Sequence, residues 1–194
     1  VHNPDLRDLW GFSLHDFFIA RAIETLRPGG IAAFVTSRHT LDKSDPAART
    51  QMFASADLLG AVRLPATTMR DDAGTDVVVD VVVFRKRAIG DLPGDDAWLE
   101  VGAVPDSDQG NGPLRINRYF LDEPVQVLGR HDWTSTQFGP DYTCAPVDGL
   151  SIDVALPEAL GRIAPDVPFP HPLDERLPPP PTGPAPYPPP TPPH

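Results

Sequence analysis

The stretch LHDFFIARAIETLRPGGIAAFVTSRHTLDKSDPAARTQMFASADLLGAVRLPATTMRDDAGTDVVVDVVVFRKR, residues 14–87, decides the fold. Ser13 stands before it as a candidate N-cap, and Asp16 three positions on suits the positive end of a helix dipole. Leu14, Phe18, Ala22 and Leu26 recur at helical spacing with Phe17 and Ile23 beside them, so this row is the expected buried face. Pro28, Gly29 and Gly30 end the helix. Residues 31–36 follow as a continuous apolar run, the pattern of a strand covered on both faces of a parallel sheet. Asp45-Pro46 repeats the signal of a helix start, and residues 47–56 continue it as a short helix. Residues 58–64 read as the next strand, and 77–84, β-branched almost throughout, as the strongest. The loop between these two strands is short for a parallel crossover, so the last strand is expected to return antiparallel to its neighbours.

Outward from this stretch the signal weakens. Residues 98–101 suit a strand, 116–121 a short helix stopped before Pro124, 142–144 an extended segment, and 156–163 a last helix with Pro157 near its first turn. Fifteen of the 26 prolines fall after Ile163. Proline removes backbone donors and fixes φ, so residues 165–194 are expected to be a disordered or polyproline II tail, a linker or a docking segment for an aromatic groove. The expected organisation is an α/β unit over 1–90, an irregular extension over 91–164 and this tail.

Composition narrows the chemistry. A net charge of −11 argues against a surface that grips nucleic acid by itself, because nonspecific affinity comes from Lys and Arg neutralising phosphates. Cys144 is the single cysteine, which excludes an internal disulfide and a thiolate zinc cluster. The six histidines show no ligand spacing, so no metal site is expected. The longest apolar run, VVVDVVVF, is strand-sized and interrupted by Asp80; no membrane association and a cytoplasmic location are expected. Ser37 and His39 lack the GxSxG elbow of a hydrolase.

The helix LHDFFIARAIETLRPGG, the strand after it, and residues 58–65 and 77–86 together resemble the second half of the catalytic domain of adenine-specific DNA methyltransferases, especially the helicase-linked bacterial type found in phage defence and restriction–modification. INRYFLDEPVQVLG and YTC resemble a segment that follows the methylase core, so the likeness covers about the first 145 residues. The resemblance implies a partial Rossmann-like methyltransferase sheet, its last three strands, with an antiparallel final strand. It also implies S-adenosylmethionine as cofactor of the intact enzyme and DNA as its partner. The family's glycine-rich turn and its Asn/Asp-Pro-Pro-Tyr/Phe motif are not in this sequence: Gly29-Gly30 ends a helix instead of opening one, and Asn3-Pro4-Asp5 lacks the second proline and the aromatic. No catalytic or cofactor-binding residue is therefore expected here, no cofactor is expected for this chain alone, and a missing N-terminal half or complementary chain is the expected partner. Thr36, Ser37, Arg38 and His39, past the carboxyl end of a strand where open α/β folds bind ligands, and Thr67, Thr68, Met69 and Arg70, in the loop before the last strand, are the candidate active-site rim or DNA contact; a capped turn and an ordinary loop with solvated side chains are the commoner reading of the two stretches. Where related sequences carry an aromatic, Met69 stands instead, which counts against base stacking there. Two alternatives stay open: a noncatalytic α/β binding piece with a proline-rich docking tail, and a fragment of a small-molecule methyltransferase.

Overall fold

The computed structural model describes residues 11–70, 74, 76–110 and 112–163; Asn3-Pro4-Asp5 and the tail over 165–194 lie outside them. Helix α1, Leu14–Thr25, starts on Ser13, whose Oγ accepts from the Asp16 amide at 3.4 Å. The buried face differs from the expected one. Asp16, Ile19, Ala20 and Ile23 are buried, whereas Leu14 and Phe18 are 68% and 61% exposed. Both rows have helical spacing, and the helix turns toward the core the row that carries Asp16, which binds the Ser13 hydroxyl and Lys43 Nζ at 2.7 and 2.6 Å. Gly29 then takes φ 74° and donates to Lys86 O, while a Cβ on Gly30 would stand 2.8 Å from Arg27 O. That close approach is why the turn needs glycine.

Three strands follow the sequence closely: β1 Ile31–Ser37, β2 Ala56–Arg63 and β3 Val79–Lys86. They form one sheet in the order β1-β3-β2, with β3 antiparallel to both flanking strands. The carboxyl ends of β1 and β2 and the amino end of β3 thus share one edge. Helices α2, His39–Asp42, and α3, Ala47–Phe53, link β1 to β2. Later elements are small: a 3-10 turn at Ala97–Leu99, β4 Val101–Ala103, β5 Arg115–Asn117, α4 Arg118–Asp122, a 3-10 turn at Pro124–Gln126, the hairpin β6 Arg130–Thr136 with β7 Gly139–Ala145, and α5 Ile152–Gly161. The strands named make three small antiparallel sheets, none closed into a barrel. Trp98, expected in a strand, sits in the first 3-10 turn, where Asp96 O and Ala97 O accept the Leu99 and Glu100 amides before β4 begins.

Two apolar clusters hold this together. One joins Ile19 and Ile23 of α1, Met52 of α3 and Phe84 of β3 to Trp98, Ile116 and Phe120 of the later segment; the Phe84 and Trp98 rings meet edge to face at 5.7 Å. The other places Ala155 and Ala159 of α5 over Val62 of β2 and Val79 of β3. Helix α5 covers β2 and β3 and leaves β1 uncovered. Residues 31–36 are therefore not buried on both faces as expected: Val35 is 63% exposed, and β1 is an edge strand. The basic run after β3 meets the helices. Lys86 Nζ donates to Ile23 O and Glu24 O at the carboxyl end of α1, and Arg87 donates to Phe53 O at the end of α3, complementing both dipoles. No helix among the described residues is long and apolar enough to cross a membrane.

Candidate functional site

The edge that gathers the ends of β1 and β2 carries a layer of charge that apolar strands have folded inward. Arg63, the last residue of β2, and Asp80 of β3 are register partners and both fully buried; Arg63 Nε and Nη2 lie 2.8 Å from the two Asp80 oxygens. Arg63 Nη2 also donates to Asp42 Oδ1 at 2.9 Å, and the guanidinium stacks 4.3 Å from the Phe120 ring and 5.1 Å from that of Tyr142. Burial pushes the Arg63 guanidinium down, but the charges of Asp80 and Asp42 outweigh it and hold it well above its ordinary value. Asp42 Oδ1 further accepts from the Asn117 amide, while Asn117 Nδ2 donates to Leu41 O and Trp98 O. One cluster thus ties the sheet, α2, β5 and the β6–β7 hairpin together.

Above this layer the two predicted rim stretches approach each other. Ser37, Arg38, His39 and Thr67 line a cavity of about 340 Å³ whose far wall is the hairpin, with Thr134, Thr136 and Asp141. Arg38 is only 9% exposed; its Nη2 stands 2.7 Å from both oxygens of Asp141, and Nη1 lies 3.6 Å from Asp42 Oδ2. Ser37 Oγ accepts from the His39 amide at 3.3 Å. Burial, then the Arg38 charge, pushes the His39 imidazole below its ordinary value of 6.5. His131 is pushed the same way by burial and by Arg63, and its Nδ1 is 2.9 Å from the Tyr142 hydroxyl, which burial raises. Burial likewise pushes the Cys144 thiol up to about 12, so it is a neutral core group.

The other four candidates stay off this cavity. Thr36 is buried, its hydroxyl 2.9 Å from that of Thr40. Thr68 turns back on Pro65 O, Met69 packs on the cluster under α5, and Arg70 pairs with Asp76 at the surface. The loop places Thr67 inward and sends its successors sideways or out. Sequence reading missed Arg63, Asp80, Asp42, Asn117 and Asp141. A signal existed for the first two: a charged residue inside LLGAVRL and another inside VVVDVVVF are costly unless they face each other. The strand β6 was missed as well; Trp133, Thr134 and Thr136 before a Gly139-Pro140 step were its only marks.

Gly29 and Gly30 do not fit a cradle for S-adenosylmethionine. Their amides already donate to Lys86 O and Arg27 O, and they follow a helix instead of preceding one. Among the described residues no cluster of three or more His, Cys, Asp or Glu side chains is placed to hold a metal ion. These features define a mixed α/β chain with a hydroxyl-lined polar cavity at its strand ends. Comparison with protein-family models, with curated proteins and with solved structures finds no match.

Proposed function

We propose that this chain supplies the last three strands of the catalytic sheet of an adenine-specific DNA methyltransferase, with a Rossmann-like sheet completed by strands from outside it. The observation that carries the reading is the sheet itself. β3 lies between β1 and β2 and antiparallel to both, and the rim stretches after β1 and β2 converge on one cavity at the shared strand edge, the edge where open α/β folds bind ligands. Ser37, Arg38, His39 and Thr67 would face DNA; S-adenosylmethionine and the target amine would be held by the complementary segment. The modification would take place in the cytoplasm, as part of restriction–modification or phage defence. The test is transfer of labelled methyl from S-adenosylmethionine to adenine in DNA by the complete reading frame that contains this chain. The 194-residue chain alone serves as the inactive control. Methylation of a small metabolite but not of DNA would sink the proposal in favour of a small-molecule enzyme.

A second reading, a noncatalytic binding piece, is favoured by one observation. β1 is an edge strand with Val35 exposed on the face that α5 leaves open, and such an edge pairs readily with another chain. A complete reading frame that binds a protein partner through β1 and never methylates would support it.

A further inference from the structure

Arg38 is held from two sides by carboxylates of unequal standing. Asp42 is part of the buried layer, 8% exposed and bonded to Arg63 and Asn117. Asp141 reaches in from β7, and its side chain is 47% exposed on the cavity rim. Both Asp141 oxygens crowd a single nitrogen, Nη2, so the contact does not use the two-nitrogen fork that makes an arginine–oxyanion pair strongest. Around it the wall carries the hydroxyls of Ser37, Thr67, Thr134 and Thr143 and the imidazole of His39 among apolar residues such as Val77 and Pro146, while the Thr136 hydroxyl already donates to Gly139 O. Ser, Thr and Arg side chains are the usual partners of phosphate oxygens. The cavity's remaining charge, Asp76, is neutralised by Arg70. If Asp141 leaves, Arg38 and Arg63 balance Asp42 and Asp80, so the cluster loses its excess negative charge and Arg38 Nη2 is left facing about 340 Å³ of space.

We infer that the cavity is a phosphate-oxyanion site centred on Arg38, and that Asp141 occupies the place of the ligand, so that a nucleic-acid phosphodiester binds by displacing the Asp141 side chain while the β6–β7 hairpin stays anchored through Tyr142 and Cys144. The exchange replaces one oxyanion on the guanidinium by another and leaves Asp42 in place, so the buried layer is not opened. The assignment deepens the DNA-rim reading and rests on it for the identity of the ligand, but not for the displacement.

The test uses the full 194-residue chain and a labelled single-stranded oligonucleotide at low salt, followed by fluorescence anisotropy, with dAMP and inorganic phosphate as unlabelled competitors. Asp141→Asn removes the competing charge and is expected to tighten oligonucleotide binding by about tenfold, the scale of one charge-assisted contact. Adding Arg38→Lys to that variant, which keeps the charge beside Asp42 but loses the fork, should abolish the gain. Competition by dAMP or phosphate at the oligonucleotide's own affinity would assign the site to free phosphates, and its absence to the strand. Equal binding by wild type and D141N would overturn the inference. Should D141N fold poorly, the Arg38 Nε–Hε resonance of the wild-type chain gives the same decision: it must shift when oligonucleotide is added, and a fixed resonance overturns the site. Methylation by the complete reading frame without any D141N effect sinks this inference alone, and a D141N effect without methylation sinks the methyltransferase reading alone.

Discussion

Arg63 is the residue on which the most elements depend. Removing one member of a buried ion network leaves the others charged and uncompensated, a cost of about 3–5 kcal/mol, whereas replacing the group wholesale by apolar side chains is often neutral. Arg63→Met should therefore destabilise the chain by that amount in denaturant unfolding, because Asp80 and Asp42 stay behind. A loss below about 1 kcal/mol, the ordinary cost of a substitution, would show that the two acids take up protons and that the network is soft. The histidines give a second residue-scale expectation. His39 and His131 both have folded values below 6.5, so the unfolded chain binds protons that the folded chain refuses. Their contribution is complete above 6.5 and is lost as pH falls through 6.5 toward the depressed folded values. The melting temperature should drop between pH 7.5 and pH 5.5, and His131→Gln should flatten part of that drop; an unchanged slope in the variant would remove His131 from the account.

At the scale of elements, α1 tests which of two helical rows is buried. Ile19→Ala removes a side chain that is 3% exposed and should cost about 2–5 kcal/mol, while Phe18→Ser, on the row left in solvent, should stay within about 0.5 kcal/mol. Reversed effects in chemical denaturation would restore the face first expected from the sequence. The failure there is instructive: Leu14, Phe18, Ala22 and Leu26 are as apolar as Ile19, Ala20 and Ile23, and the choice falls on the row that lets Asp16 meet Lys43 from the next helix, a contact 27 residues away in the chain. Strands were legible because β-branched runs bounded by Gly and Pro admit few other readings, and the antiparallel return of β3 followed from a loop length. Of the eight candidate rim residues, Ser37, Arg38, His39 and Thr67 line one cavity. What sequence order could not supply was the partner across it. Asp141 lies 103 residues from Arg38, on a hairpin whose first strand is polar and whose second shows only the short alternation of Tyr142 and Cys144, read from the sequence as an extended segment without its partner strand.

For the whole molecule the decisive asymmetry is that α5 shields one side of the sheet and nothing among the described residues shields the other end. Val35 leaves apolar surface on the edge strand β1 itself, and Leu14 and Phe18 on α1 are exposed as well. An edge of that kind templates pairing with a further strand, and apolar patches beside it add the driving force. The isolated chain should therefore bind a hydrophobic dye and show a melting transition that moves with protein concentration. Val35→Lys places a charge on the exposed face of the edge strand without touching either apolar cluster. It should suppress both effects while changing monomer stability by no more than about 0.5 kcal/mol, because a solvated surface site carries little of the folding free energy. The comparison of dye fluorescence and sedimentation between wild type and V35K decides the matter. A wild-type chain that sediments as a monomer at all concentrations, unfolds without concentration dependence and ignores the dye would show that β1 needs no partner, and the proposal that this sheet is completed by strands from elsewhere would fall with it.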